Sequence, residues 1–231
     1  MGIQYTYLVI LVASLVGPFL LSFDKKVAFY TKWKFLFPAM VLPALFYVVW
    51  DMFFTSKGVW SFNPECITGI HLVNLPIEEV LFFFVVPYCC VFIYECIRCY
   101  FPNLKNKQSG DLILLLLAFF LLVPAIVFYN RIYTSWTFAL LFLFIVLLNI
   151  FRKYFRSFDA ISFLVSYAII LIPFLLVNGF LTAVPVVLYN DAENLGVRIY
   201  TIPVEDIFYG MLLILMNIVI YEKLYQRKNV R

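Results

Sequence analysis

The chain alternates between long apolar segments and short polar loops. Each segment holds roughly 20 mainly apolar residues, the length that an α-helix needs to cross a bilayer core of about 30 Å. Prolines inside several segments do not oppose this interpretation, because membrane helices tolerate proline better than soluble helices do. The segments lie at residues 4–22, 34–54, 76–99, 111–129, 133–151, 158–181 and 203–225. The pattern therefore predicts an all-α integral membrane protein with seven transmembrane helices.

The composition supports a membrane protein and argues against several kinds of site. Hydrophobic residues make up 65% of the 231 residues and charged residues 13%, too few for the polar surface of a soluble domain. The net charge of +4 comes from basic residues spread along loops, so we expect no nucleic-acid partner. Cys96 and Cys99 form a lone CxxC, and the single histidine, His71, falls on the opposite side, which argues against a metal site. No GxGxxG motif is present, so no dinucleotide cofactor is expected.

The distribution of Lys and Arg predicts the orientation in the membrane. Fourteen of these residues fall on one side of the predicted spans, and only Lys57, Arg131 and Arg198 fall on the other. Cytoplasmic loops carry the excess of basic residues in membrane proteins. The N-terminus should therefore lie outside and the C-terminus in the cytoplasm, in a membrane of the bacterial plasma-membrane type. The sequence indicates no particular oligomeric state.

The sequence repeats itself with a shift of 127 residues. The clearest copy is an acidic signature that opens two apolar segments, Pro76-Ile77-Glu78-Glu79 and Pro203-Val204-Glu205-Asp206. Further aligned pairs are Asp51 with Asn178, Asn63 with Asn190, Gly69 with Gly196, and Tyr94-Glu95 with Tyr221-Glu222. Residues 1–99 and 132–231 are then two three-span repeats, and residues 100–131 supply a linker span. Because one extra span restores the chain direction, the repeats are parallel, and both signatures lie at one depth near the outer leaflet.

The carboxyl groups of the two signatures are the candidate catalytic groups, on Glu78, Glu79, Glu205 and Asp206. For one signature alone a structural role stays open, because proline and acidic residues both suit the first turn of a helix. Two copies in register, in a chain with so few charges, favour a function. Carboxyl groups clustered in a low-dielectric site cannot all ionise, so one can keep a proton and act as a Brønsted acid. Neighbouring helix residues point about 100° apart, and we expect Glu78 and Glu205 to be the pair that faces inward.

Polar and aromatic residues near the signatures are the candidate substrate-binding residues: Asp51, Trp60, Asn63, Asn178, Asn190 and Tyr209. Asp51 ends the second span on the side of the signatures, and its counterpart Asn178 is neutral. This difference is compatible with one half supplying the proton donor and the other half shaping the wall of the site. A solvated helix end is the alternative for Asp51, and an interfacial aromatic belt is the alternative for Trp60. Tyr209 lies one turn after Glu205, where its ring can stabilise a carbocation.

Two loop residues precede the signatures at matching positions. Arg198 is a candidate ion-pair partner for the acids of the second signature, with a simple loop residue as the alternative. His71 holds the matching place in the first half, and we interpret it as a simple loop residue.

Together these features resemble the lycopene cyclase domain, the membrane-embedded carotenoid cyclase of some bacteria, archaea and fungi. The resemblance covers almost the whole chain. It rests on the paired Pro-x-Glu-Glu and Pro-x-Glu-Asp motifs, the duplicated three-span unit and the run Asp51…Trp60-x-Phe62-Asn63. In some organisms of this family the two halves are separate subunits, and here they would be fused. The second half departs from the pattern, because Leu188-Tyr189-Asn190 stands where the first half has Trp60-Ser61-Phe62-Asn63, which puts its aromatic contacts in doubt.

The resemblance implies an enzyme of carotenoid biosynthesis, a lycopene β-cyclase of the isomerase class (an intramolecular lyase). An acid protonates the terminal C1=C2 bond of lycopene, the C5=C6 bond closes a six-membered ring, and a carboxylate removes a proton to leave a β-ring. The product is β-carotene, formed via γ-carotene, with no net oxidation and no cofactor. The four signature acids would supply acid and base with Asp51 in support. The carotenoid would reach them from within the lipid bilayer.

Two other functions remain compatible with the residues. One is a different acid-catalysed step on a carotenoid end, performed by a hydratase or a C50 cyclase. The other is a non-enzymatic transporter coupled to protons or cations, in which the ring of carboxylates would bind the cation.

Overall fold

The computed structural model describes residues 3–104 and 107–229. These residues form seven α-helices: α1 (Thr6–Leu21), α2 (Trp33–Ser56), α3 (Ile77–Tyr100), α4 (Lys107–Val127), α5 (Ile132–Ile150), α6 (Ala160–Ala183) and α7 (Glu205–Asn229). Short 3-10 turns precede α1 and α2, at Ile3–Tyr5 and Phe29–Lys32. Every helix begins and ends within four residues of its predicted segment. Lys105 and Arg231, which contribute to the predicted charge asymmetry, lie outside the described residues.

Six of the described helices are long and apolar enough to cross a membrane, by length and composition. Helix α1 is also apolar but has 16 residues, which is about 24 Å of helix against a bilayer core of about 30 Å. The described chain thus offers six full-length spans and one shorter apolar helix where the sequence predicts seven spans. These helices indicate a multi-pass membrane protein.

The helices pack in two matching sets around α3 and α7. Helix α1 packs on α3 as α5 packs on α7, and α6 packs on α3 as α2 packs on α7. Helix α4 contacts α5 and α6 on one flank. Large buried side chains such as Phe83, Tyr94 and Tyr221 fill the space beside the two central helices. The helices that carry the acidic signatures are therefore the centre of the bundle.

Short strands occur in the loops that lead to the signatures, and the sequence pattern does not predict them. Strand β1 (Trp60–Phe62) pairs antiparallel with β4 (Val187–Tyr189) and joins the two halves. Two small hairpins are formed by β2 (His71–Leu72) with β3 (Leu75–Pro76) and by β5 (Arg198–Ile199) with β6 (Ile202–Pro203). Their turns place Val73 and Tyr200 at φ 61° and 58°, where glycine or asparagine is the usual turn signal. The hairpins were missed because that signal is absent.

The two hairpin loops make the same backbone hydrogen bonds at positions 127 residues apart. The N–H of Ile77 donates to the carbonyl of Ile70 at 2.9 Å, and the N–H of Val204 donates to the carbonyl of Val197 at 2.9 Å. Each loop thereby folds back over the start of its own central helix.

At the far ends of α3 and α7, two tyrosines and two glutamates exchange hydrogen bonds between the helices. The hydroxyl of Tyr94 donates to Glu222 at 3.2 Å, and the hydroxyl of Tyr221 donates to Glu95 at 3.1 Å. Both glutamates are buried, at 3% exposure each. These reciprocal hydrogen bonds link the ends of the central helices that lie opposite the signatures. We call this group of two tyrosines and two glutamates the clamp.

Two basic residues complete the clamp. Lys32 pairs with Glu95, and Arg98 pairs with both Glu95 and Glu222. A buried carboxylate whose partner is removed leaves an uncompensated charge, which destabilises a protein strongly. The clamp should therefore contribute to the stability of the bundle.

Replacing Arg98 by leucine tests this contribution. We expect Arg98→Leu to lower the free energy of unfolding by roughly 1–3 kcal/mol, less than for a fully buried pair, because the Arg98 side chain is 28% exposed. Thermal unfolding of the purified protein in detergent micelles measures the effect. Lys25→Leu, at an exposed position on the same side, is the control. Equal melting temperatures for the two variants would show that the clamp does not contribute to the stability of the bundle.

Candidate active site

The two acidic signatures lie at the starts of α3 and α7, each directly after a hairpin. Pro76 and Pro203 end the second strand of each hairpin, and Pro76 has extended backbone angles of φ −63° and ψ 147°. Proline suits the start of a helix because its missing N–H would have no partner there. The two acids of each signature follow in the first turn, where the helix dipole favours negative charge.

The first acid of each signature faces its own hairpin loop. Glu78 Oε1 accepts the backbone N–H of Thr68 at 2.7 Å, and Glu205 Oε1 accepts the backbone N–H of Leu195 at 2.7 Å. The hydroxyl of Thr134 on α5 also donates to Glu205, at 2.6 Å. Both glutamates are fully buried. They hold the loops against the helix starts.

The expectation that Glu78 and Glu205 form the inward-facing pair is therefore wrong. Each hairpin folds back over its helix start, so the N–H groups of the loop bind the first acid of the signature. The next residue points about 100° further around the helix. That rotation turns Glu79 and Asp206 toward the centre of the bundle, where both line one cavity.

The cavity lies between the two halves and is lined by three carboxyl groups, from Asp51, Glu79 and Asp206. Its volume is about 40 Å³, room for little more than water. Asp51 is only 1% exposed, so a solvated helix end is the wrong interpretation for this residue. Aromatic rings form much of the remaining wall, namely Trp60, Phe62, Phe82, Tyr133, Phe174 and Tyr209.

Asp206 receives three neutral donors. The hydroxyl of Tyr133 donates to one of its oxygens, and the hydroxyl of Tyr189 donates to the other at 2.8 Å. The amide Nδ2 of Asn178 donates to that second oxygen at 3.4 Å. Desolvation raises the pKa of the Tyr189 phenol well above its ordinary value, so this donor keeps its proton. These three hydrogen bonds favour the charged form of the Asp206 carboxyl group.

Glu79 and Asp51 form a pair with different surroundings. The hydroxyl of Tyr7 on α1 donates to Glu79 Oε2 at 2.5 Å, and the hydroxyl of Tyr209 donates to Asp51. The two carboxyl groups are also close enough to interact electrostatically. Each carboxyl therefore has one phenol and the other carboxyl as neighbours.

The aromatic rings pack against one another across the boundary between the halves. The ring centroid of Trp60 lies 5.2 Å from that of Tyr133 and 6.0 Å from that of Tyr209. Tyr189 stands opposite Trp60 in the β1–β4 pairing and stacks on Tyr133 at 6.0 Å. The departure at Leu188-Tyr189-Asn190 thus keeps an aromatic contact in the second half, and it adds a hydroxyl donor.

Asn63 and Asn190 lie outside the cavity. Asn63 Oδ1 accepts the backbone N–H of Glu65 at 3.0 Å, and Asn190 Oδ1 accepts the backbone N–H of Ala192 at 3.1 Å. These are turn-forming contacts in the loops. Of the six predicted substrate-binding residues, the structure brings the other four to the cavity.

The charged residue before the second signature has a different partner from the predicted one. Arg198 pairs with Asp191 in the loop, and this hydrogen bond lowers the pKa of Asp191, so the predicted pairing of Arg198 with the signature acids is wrong. His71 is exposed and its Nδ1 lies 2.9 Å from the carbonyl of Gly69, as expected of a loop residue. Among residues 3–104 and 107–229, no three His, Cys, Asp or Glu side chains are grouped to hold a metal ion.

Three tyrosines that contact the acids were not among the predicted site residues: Tyr7, Tyr133 and Tyr189. The chain has 16 tyrosines, and nothing in the hydropathy pattern separates these three. The repeat offers one sequence feature that points to Tyr7 and Tyr133. With the shift of 127 residues, Thr6-Tyr7 aligns with Tyr133-Thr134, a polar pair at the start of both first spans.

Comparison with known proteins places the chain in a family. A family model described as lycopene cyclase matches residues 4–97 and 130–224. The chain belongs to the lycopene cyclase family. Both matched segments include one acidic signature and one half of the cavity wall.

Two curated fungal proteins are similar to parts of the chain. A bifunctional lycopene cyclase/phytoene synthase of Aspergillus niger is 30% identical over 66 residues, which cover 26% of this chain and 11% of that protein. A bifunctional lycopene cyclase/phytoene synthase of Neurospora crassa is 38% identical over 45 residues, 20% of this chain and 8% of that protein. The matches thus span about a tenth of these relatives. No solved structure matches the chain.

The two glutamates that bind the loops can be tested separately from the cavity. We expect Glu78→Leu to lower the free energy of unfolding by about 1–3 kcal/mol, because it leaves the half-buried N–H of Thr68 without its acceptor. Glu78→Gln keeps an acceptor oxygen and should retain most of the stability. Thermal unfolding in detergent measures both, and equal losses in the two variants would contradict a loop-binding role.

Proposed function

We propose that the protein is a lycopene β-cyclase, an isomerase that closes the ends of lycopene into β-rings. The observation that carries the proposal is the grouping of Asp51, Glu79 and Asp206 around one aromatic cavity, in a chain of the lycopene cyclase family. The reaction needs a proton donor, a proton acceptor and apolar walls. Side chains of this protein supply all three, and no cofactor takes part.

The proton donor is the pair formed by Asp51 and Glu79. When two buried carboxyl groups are close enough to interact, their repulsion opposes ionisation of both, so one of them keeps a proton. The phenols of Tyr7 and Tyr209 fix the orientation of the two groups. The pair therefore holds an acidic proton at the cavity wall, ready for an apolar acceptor.

The proton acceptor is Asp206. Its three neutral donors stabilise the negative charge, since hydrogen bonds to the charged form of a carboxyl group favour that form. At the position matching Asn178, the first half has Asp51. The amide in one half and the acid in the other thus separate the two roles.

The cyclisation is balanced in protons and electrons. The acid pair delivers its proton to C2 of the terminal C1=C2 bond, which leaves a tertiary cation at C1. The π electrons of C5=C6 form the C1–C6 bond, and the positive charge moves to C5. Asp206 removes the proton from C6, and the released electron pair forms the double bond of the β-ring. One proton enters and one leaves, so lycopene, γ-carotene and β-carotene are isomers.

The aromatic wall protects and stabilises the cation. Desolvated aromatic faces stabilise a cation by roughly 0.5–2 kcal/mol each, and the rings of Trp60, Tyr133 and Tyr209 border the same cavity as the acids. The small volume leaves little space for water, which would otherwise trap the cation as an alcohol. This exclusion favours ring closure over hydration of the carotenoid end.

We further propose that all seven helices cross the membrane as two parallel three-helix repeats, residues 1–99 and 132–231, joined by a linker helix within 100–131. The matching loop hydrogen bonds and the matching packing around α3 and α7 support the repeat. The family match also falls into two segments of similar length and omits residues 98–129. The N-terminus lies outside and the C-terminus in the cytoplasm, in a bacterial-type plasma membrane.

Expression in a lycopene-accumulating bacterium tests the reaction. We expect the wild-type protein to convert lycopene to β-carotene, and Glu79→Gln and Asp206→Asn to reduce conversion by about 100-fold or more, the usual range for loss of an acid or base. Chromatography of the extracted pigments gives the product ratio. An immunoblot of the membrane fraction confirms equal amounts of protein.

Glu78→Gln is the matched control for Glu79→Gln. It makes the same chemical change one residue away, at a glutamate that contacts the loop, and should retain most of the conversion. Unchanged pigment with well-expressed wild-type protein would refute the proposed function. Loss of conversion in Glu78→Gln but not in Glu79→Gln would refute the assignment of the acid.

The orientation has its own test. A reporter enzyme that is active only outside the membrane, fused after residue 65, should show activity, because that loop lies on the side with few basic residues. The same reporter fused after residue 105 should be silent. The reverse result would overturn the proposed orientation.

A further inference from the structure

A second cavity opens on the flank of the bundle between α1, α3 and α6. It is a groove of about 480 Å³, and its rim includes the exposed apolar side chains of Val9, Leu176 and Phe180. Phe174 and Asn178 line both this groove and the acid cavity. The groove therefore adjoins the acid cavity, and the side chains of Phe174 and Asn178 lie between the two.

The matching region between α5, α7 and α2 carries larger side chains at four of the corresponding positions. The aligned pairs are Val9 with Trp136, Ala13 with Leu140, Cys89 with Met216 and Val177 with Trp50. The ring of Trp136 packs 5.3 Å from that of Phe53. The ring of Trp50 packs 5.2 Å from that of Tyr47. Aromatic rings thus occupy the flank of α2 and α5, whereas the matching flank of α6 and α1 leaves a groove.

The junction between groove and cavity also differs between the halves. Tyr47, the counterpart of Phe174, packs 5.4 Å from Phe83 and donates its hydroxyl to the carbonyl of Tyr209 at 2.9 Å. Phe174 has no hydroxyl, and Gly210 stands at the position matching Phe83. A Cβ at Gly210 would lie 2.7 Å from Cζ of Phe174, so the Phe174 ring fills the space that glycine leaves. Displacement of this ring would enlarge the acid cavity toward the groove.

We infer that the groove between α1, α3 and α6 is the binding site for the polyene chain of the substrate, and that the reacting end passes Phe174 to reach the acids. The inference rests on the proposed function. An acid cavity of about 40 Å³ is far below the roughly 300–1,000 Å³ of ordinary ligand pockets. A carotenoid end can reach the acids only if the wall toward a larger space moves.

The chemistry of the groove fits a hydrocarbon. Its walls are aliphatic and aromatic side chains, with Ser14 and Asn178 as polar exceptions. The hydroxyl of Ser14 already donates to the carbonyl of Ile10 at 2.7 Å, and the amide of Asn178 donates to Asp206. The groove follows α1 from Val9 to Pro18, about 14 Å along the helix, and faces lipid. An apolar polyene chain can lie there without leaving a polar group unpaired.

The inference is tested by giving the groove the larger side chains found at the matching positions of α5 and α2. Ala13→Leu and Val177→Trp fill it, and Ala13 is exposed, so its replacement should not disturb folding. Lycopene is added to the purified full-length protein in lipid nanodiscs, and the circular dichroism induced in its visible absorption band reports binding. We expect both variants to lose at least ten-fold in binding and in conversion to cyclised product. Val49→Trp, at a lipid-exposed position of α2, is the control and should behave as wild type.

Glu79→Gln separates this inference from the proposed function. It should bind lycopene with the same induced signal while forming no ring, because the groove is intact. If wild type binds lycopene in the groove but forms no product, the site stands and the cyclase assignment fails. If folded Ala13→Leu and Val177→Trp bind and convert lycopene as well as wild type, the inferred site is refuted.

Discussion

The burial of carboxyl groups at the starts of two central helices is the constraint on which the rest of the structure depends. A carboxyl group taken from water into an apolar bundle is stable only when donors surround it. Here those donors come from loop N–H groups for Glu78 and Glu205, and from phenols and an amide for Asp206. The donors belong to segments far apart in the chain. The acids therefore hold α1, α5, α6 and both hairpin loops against α3 and α7.

The two halves pack in the same way around α3 and α7 and differ at the acid cavity. Asp51 in one half meets a glutamate, and Asn178 at the matching place in the other half meets an aspartate. Tyr209 donates a hydrogen bond where its counterpart Phe82 cannot. These exchanges turn a symmetric frame into a site with two unlike ends, which the proposed transfer of a proton in one direction requires.

The helices were predictable because their apolar segments have the length of a bilayer core, and the 127-residue shift pointed to the signatures. The orientation of the acids within each signature was not, because it depends on hairpins whose turns hold Val73 and Tyr200 in place of typical turn residues. Without those hairpins, nothing in the sequence says that Glu78 binds a loop and Glu79 faces the cavity. The tyrosine donors were equally hidden, since Tyr7 and Tyr133 belong to helices that meet α3 and α7 only through tertiary packing.

The small acid cavity also bears on the kinetics of a substrate with two reactive ends. The three inward carboxyl groups line one cavity of about 40 Å³, which cannot admit both ends of a polyene together. On the proposed function, the second closure is then a separate encounter in which the half-closed molecule competes with fresh substrate. Ring closure would then be distributive. The ratio of one-ring to two-ring products would depend on the concentration of unreacted polyene in the membrane rather than on the chemistry of the acids.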